Sequence, residues 1–275
     1  MISDSEKKRP LCHIPEFSLF CKKNQGWLLP LVLFLLAFLI RYIYWRLDPF
    51  LSRDACFYIE FTNSLHENGN YMKIENQPLI PVFLFEIVDL LMYCGISART
   101  AGLAVNMIMG SLVPVFTYAY TQEIFHQRKL SVFSAFLLCF HPSMIKLSVQ
   151  FQRDMVYLSL CGLLFLLLCL YMTRKKNYYC AAAGCIFAFS CLTRYETIEL
   201  LLIFMAVDFV FVIKHVISLK YGIKSFCVFL FSAFIAGLLF TICTGTFFFM
   251  KDNYMQYMKE KIELIQKIRE LKNNV

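Results

Sequence analysis

Three short clusters carry the residue types that group transfer needs: Arg53-Asp54, Gln152-Arg153-Asp154 and Arg194-Tyr195-Glu196. A carboxylate beside fixed guanidinium groups can take a proton from an acceptor hydroxyl or amine while the cations hold a phosphate leaving group. That is the chemistry a lipid-phosphate substrate requires. The plainer reading of each charge is that it marks the water boundary at the end of an apolar segment and pairs with a neighbour or a headgroup.

The elements that must position these clusters are apolar helices. The chain has 275 residues, 59% of them hydrophobic, and a mean hydropathy of +0.59, well above what a soluble domain of this size needs to fill its core. The clearest span is Trp27–Trp45, apolar apart from Arg41, which lies about one turn from Trp45 and is expected to snorkel to the interface. Gly102–Tyr120, Leu130–Leu147, Met155–Thr173, Tyr178–Thr193, Ile198–Ile213 and Ser225–Met250 are further candidates. The expectation is an all-α, polytopic membrane protein of about seven transmembrane helices.

Charge sets the orientation. Residues 1–26 carry Lys7, Lys8, Arg9, Lys22 and Lys23, and no small-residue cleavage site follows the first span, so the reading is an uncleaved anchor with a cytoplasmic N-terminus. The apolar stretch Leu79–Cys94 is short and carries Glu86 and Asp89 on one helix face, a costly pair in lipid. If it does not cross, Arg128-Lys129, Arg174-Lys-Lys176 and the basic loop from Lys214 to Lys224 all fall on the cytoplasmic side. The segment 46–101 then forms one long external loop with juxtamembrane helices, and all three charged clusters share the external face.

Within that loop Ser52 can N-cap a helix running to about His66, with Asp54 in its first turn. Asn68-Gly69-Asn70 ends it, and Gln77-Pro78 starts the next. The transmembrane module covers 27–250, and residues 251–275 read as an amphipathic tail.

Several classes are excluded or demoted. The net charge of +8 is spread between apolar blocks and forms no aromatic-interleaved basic face, so no nucleic-acid partner is expected. Twelve cysteines without any C-x-x-C pair, and histidines dispersed at 13, 66, 126, 141 and 215, indicate no metal site. The 29 Phe suit lipid-facing packing, with Tyr58 and Tyr195 set apart because they adjoin the charged clusters.

The order of features resembles the GT-C membrane glycosyltransferases that use polyprenyl-phosphate sugars, including the protein O-mannosyltransferases and the lipid A aminoarabinose transferases. The resemblance covers residues 27–215. It rests on Ser52-Arg-Asp54-Ala-Cys-Phe-Tyr58 after the first span, Gly69-Asn-Tyr71, Gln77-Pro78-Leu-Ile-Pro81, Arg99 followed by Asn106-Met-Ile-Met-Gly110, Phe125-His-Gln-Arg-Lys129, Pro142, Asp154 and Leu192-Thr193-Arg194.

The resemblance implies inverting transfer of a sugar from a polyprenyl-phosphate donor to a lipid, glycan or protein acceptor outside the cytoplasm, in the cell envelope at a bacterial cytoplasmic membrane. Asp54 looks like the family's catalytic base. Asp154 looks like its second external acidic position, which binds a divalent cation in some members; no other cofactor is implied. Arg53, Tyr58, Arg153, Arg194 and Glu196 complete the expected substrate-binding set. The chain departs from the pattern at Ala55, where many members place a second acidic residue, and it ends soon after the seventh span, as a minimal member, a truncated product or a half requiring a partner would. Two rivals stand beside this reading. One is a small transporter or flippase with Asn106, Pro114 and Asp208 as its intramembrane interruptions, and the other is a non-catalytic subunit or fragment.

Overall fold

The computed structural model describes residues 27–68, 82–213 and 218–246, with the side chains of residues 68, 207, 208, 211 and 212 excepted. The expectations for residues 1–26, Gly69-Asn-Tyr71, Gln77 to Pro81, Lys214, His215 and the 251–275 tail lie outside the described residues. So does the side chain of Asp208.

All described elements are helical, with no strand among the described residues. They are α1 Leu28–Leu47, α2 Arg53–Asn68, α3 Phe83–Met92, α4 Ala98–Phe125, α5 Arg128–Cys139, α6 Pro142–Ser148, α7 Arg153–Arg174, α8 Asn177–Cys191, a 3-10 turn Tyr195–Thr197, α9 Ile198–Ile213 and α10 Leu219–Cys243. Serine hydroxyls cap three starts, each satisfying an otherwise orphaned N–H. Ser52 accepts from Ala55 N–H at 3.2 Å, Ser97 from Thr100 N–H at 3.4 Å and Ser218 from Tyr221 N–H at 3.3 Å.

Among the described residues four helices, α1, α4, α7 and α10, are long and apolar enough to cross a membrane, and α5 with α6 makes a fifth crossing if the pair is one bent span. The chain is an integral membrane protein. The seven expected spans are not reached on that test, because α8 and α9, with 15 and 16 residues, rise only about 22–24 Å against a hydrocarbon core of about 30 Å. The α5–α6 bend is 57° and falls at His141-Pro142, where proline has no N–H to give and its ring clashes with the carbonyl four residues back. Pro114, by contrast, sits buried inside an unbroken α4.

The helices alternate between two ends. At one end the start of α2 meets the start of α7 through Ser52 and Gln152, and Phe83 N–H donates to Leu192 C=O at 3.0 Å, tying α3 to the end of α8. At the other end Thr173 Oγ1 donates to Glu123 Oε1 at 2.7 Å, beside the basic residues Arg174 to Lys176. Three apolar clusters fill the interior. One joins α2, α3, α4 and the start of α7, the second joins α7 to α10, and the third joins α1, α4 and α5.

The expectation for Arg41 is corrected. The side chain does not snorkel: it is 0% exposed, turned into the protein, with Nε donating to Ser148 Oγ at 2.9 Å and Nη1 to Ala37 C=O at 3.0 Å. Gly110 on α4 makes the room, since a Cβ there would overlap the Ser148 hydroxyl and crowd the Arg41 guanidinium.

Candidate functional site

The site is built from the turn that leads into α7. Gly102, Asn106 and Gly110 follow one another at four-residue intervals, so they form one stripe on α4. The Phe151 ring lies against Gly102, where any Cβ would collide with it. Asn106, fully buried one turn further along, donates through Nδ2 to the carbonyls of Gln150 and Gln152, the latter at 2.7 Å. Two backbone oxygens in an irregular turn, that of buried Gln150 and that of half-buried Gln152, are thereby satisfied, which an apolar residue cannot do.

Gln152 then reaches across the chain: its Nε2 donates to Ser52 Oγ at 3.0 Å. That contact brings the start of α2, with Arg53 and Asp54, to the start of α7, with Arg153 and Asp154. Beneath it Tyr58 packs edge-on against Phe85 and Phe151, with ring centroids 5.3 and 6.0 Å apart, and the Arg153 guanidinium carbon stands 5.8 Å from the Tyr58 centroid. Burial pushes the Tyr58 hydroxyl up. The Arg153 cation opposes this, and the negative charges of Asp54 and Asp154 add to it. Tyr58 is therefore within electrostatic reach of three of the expected site residues at once.

Arg194 organises the second half. It bonds Asp154, lies 3.5 Å from Glu196 Oε2, and covers the Tyr157 ring at 5.5 Å. Burial pushes the Glu196 carboxyl up, but its own backbone N–H and the cations Arg194 and Arg153 outweigh it and hold the carboxyl below its ordinary range. The Tyr195 hydroxyl is raised by burial, with Arg153 opposing. The sequence sets only the 3-10 turn Tyr195–Thr197 next to Arg194; the packing of α8 against α7 brings that turn over Asp154.

Of the expected residues, Asp54, Tyr58, Arg153, Asp154, Arg194 and Glu196 converge. Arg53 is exposed at the first residue of α2 and makes no hydrogen bond or ion pair among the described residues. Asp54 is exposed, with no ion pair of its own among those residues. Two contributors lie outside the expected set. Tyr157 follows Asp154 by three residues and so shares its face of α7, a signal present in the spacing. Asn106 reads in the sequence only as part of a small-residue stretch and a polar interruption, and nothing local shows that its amide clamps a turn 44 residues away.

The divalent cation implied for Asp154 does not fit these residues. Asp154 is committed to Arg194, and no group of three or more His, Cys, Asp or Glu suited to a metal occurs among the described residues.

Fold and site together define a polytopic helical membrane protein with a carboxylate and guanidinium cluster at one end of its bundle. Residues 76–243, well over half the chain, match the dolichyl-phosphate-mannose-protein mannosyltransferases, and the chain belongs to that family. It is a membrane glycosyltransferase of the GT-C type, in a family named for a lipid-linked sugar donor and a protein acceptor. The matched residues take in Asn106, Arg153, Asp154, Arg194 and Glu196 but leave out α1 and α2, and with them Asp54. No curated protein matches the chain.

Proposed function

We propose that the chain transfers a sugar from a polyprenyl-phosphate donor to an acceptor on the non-cytoplasmic face, with Asp54 as general base. The observation that carries this reading is the contact of Gln152 with Ser52, which gathers carboxylates and guanidiniums from α2 and α7 at one end of the bundle, next to Arg194. The basic residues Arg128, Lys129, Arg174, Lys175 and Lys176 belong to the opposite end, which under the charge rule supports a site on the non-cytoplasmic face.

In the reaction, Asp54 accepts the proton of the acceptor hydroxyl as its oxygen attacks the anomeric carbon. The carbon–oxygen bond to phosphate breaks, and the polyprenyl phosphate leaves with the bonding electrons. Attack opposite the leaving group inverts the anomeric configuration.

The two arginines take different parts. Arg194 is held by two carboxylates and an aromatic ring, which makes it the organiser of Asp154 and Glu196. Arg153 makes no ion pair within 4.0 Å among the described residues and hydrogen-bonds only the neutral Tyr58 hydroxyl within the site, so its charge is not neutralised by a carboxylate partner and suits the departing phosphate. The family name supports mannose on dolichyl phosphate as the donor and a protein as the acceptor.

The test is sugar transfer from a polyprenyl-phosphate-linked donor by purified protein in liposomes. Asp54→Asn is expected to lose about 10²- to 10⁴-fold in turnover, the usual contribution of a positioned base. Full transfer by that variant removes Asp54 from the mechanism.

A further inference from the structure

A charge buried in a membrane span is expensive, and Arg41 is one: it sits in α1, fully buried, with no carboxylate in an ion pair with it among the described residues. A leucine or methionine would fill the same volume without that cost. The position of the guanidinium suggests what the charge does instead.

Ser148 is the last residue of α6, and its hydroxyl accepts from Arg41 Nε while donating to Met144 C=O at 2.5 Å. Arg41 therefore stands at the C-terminal end of α6, where helix carbonyls are unmatched and carry partial negative charge. Its Nη1 is anchored on its own helix at Ala37 C=O, and its buried Nη2 has no hydrogen-bond partner among the described residues. One rigid fork thus joins α1 to the last residue before the turn 149–152.

That turn is then gripped twice by Asn106 on α4 and once by Ser52 at the N-cap of α2 before it releases the chain into α7 at Arg153 and Asp154. Four residues are fixed from three helices by polar contacts directed at its backbone and at both its ends. Apolar packing alone specifies such a turn poorly, because lipid-phase helices have little hydrophobic drive to choose one register.

We propose that Arg41 and Asn106 are positioning residues: from within the bundle they brace the 148–152 turn and so set where Arg153 and Asp154 stand relative to Asp54. Arg41 acts through Ser148, and Asn106 acts on the turn directly. Neither touches the reacting atoms. The consequence for turnover rests on the transfer reading above, whereas the brace itself does not.

Two measurements test it in the full-length protein. In the first, backbone hydrogen exchange is followed in Arg41→Met, Ser148→Ala and Asn106→Leu; exchange is expected to rise in peptides covering 148–154 and to stay unchanged in α8 and α10. Uniformly faster exchange in all helices, or none in the turn, overturns the brace. In the second, Arg41→Met is expected to lose about ten- to a hundredfold in turnover with the donor KM within about twofold, as displaced catalytic geometry predicts. Arg41→Lys, which still gives Ser148 a donor, is expected to recover most of that loss, and Ser148→Ala to show a smaller one. Equal losses in the Lys and Met variants, or unchanged turnover in Met, overturn the positioning role. If the wild type transfers no sugar while exchange is confined to the turn, the brace stands and the transfer reading falls.

Discussion

Arg153 precedes Asp154 in the chain and Arg194 bonds it from the end of α8, yet the two are used differently: Arg194 is bound by Asp154 and approached by Glu196, whereas Arg153 lies over the Tyr58 ring without an ion pair among the described residues. The first is a fixed part of the scaffold and the second is a cation held ready by a ring face.

Arg194→Ala should therefore act through geometry. It leaves Asp154 and Glu196 without their shared cation and uncovers Tyr157, so turnover is expected to fall about 10²-fold. Arg194→Lys is expected to recover little, because an ammonium cannot replace a planar fork that engages two carboxylates and stacks on a ring. Parallel transfer assays and melting curves for both variants check this.

Arg153→Lys should keep the fold and weaken the donor step. The cation over Tyr58 is worth only about 0.5–1 kcal/mol to stability at a partly exposed site, so the melting temperature is expected to hold while the donor KM or turnover worsens. An unchanged donor dependence assigns the phosphate to another cation.

Asn106→Leu should destabilise directly. It strips the Gln150 and Gln152 carbonyls of their common donor, at about 1–3 kcal/mol for each buried group left unmatched. Thermal unfolding in detergent reads the loss, and Asn106→Asp, which keeps the shape but not the donors, is expected to show most of it.

Glu86 gives a pH signature in the short helix α3. Burial, reinforced by the negative charge of Asp89 one turn on, pushes its carboxyl up to about 7. The folded chain thus holds this proton more tightly than the unfolded chain does. The contribution is complete below the ordinary carboxylate range, and it is lost as pH rises from there through about 7. Glu86→Gln is expected to flatten the melting temperature over that window and to raise it above pH 7. Asp89 itself is bonded to His66 Nδ1 at 2.7 Å, so Asp89→Asn also frees α2 from α3 and is the less clean variant.

Gly110→Ala offers a packing test of the same turn. The added methyl collides with the Ser148 hydroxyl beside Arg41, and overfilling a packed site typically costs about 1–3 kcal/mol. Gly237→Ala, on a face of α10 where the nearest atom to a new Cβ is 3.9 Å away, is expected to be nearly silent in the same melting assay.

The amino-acid sequence alone determined the apolar helices, the Ser52 cap and the carboxylates and arginines at helix ends, because each of these is a local matter of hydropathy, propensity and the hydrogen-bonding groups within one turn; the bend at Pro142 inside the expected span Leu130–Leu147 was not read from it. It also carried the family pattern in the order of those features. The bounds of α8 and α9 were legible as well, since the apolar stretches Tyr178–Thr193 and Ile198–Ile213 are themselves short for a span and the helices match them to within two residues at each end. Tertiary structure alone decided that Arg41 turns inward to Ser148, 107 residues away, that Asn106 holds a turn rather than interrupting a helix, and that Arg194 rather than Arg153 binds Asp154. Those outcomes depend on which faces of helices meet, and in a bundle where nearly every face is apolar, hydropathy gives no preference among them. A few polar contacts between distant residues make the choice.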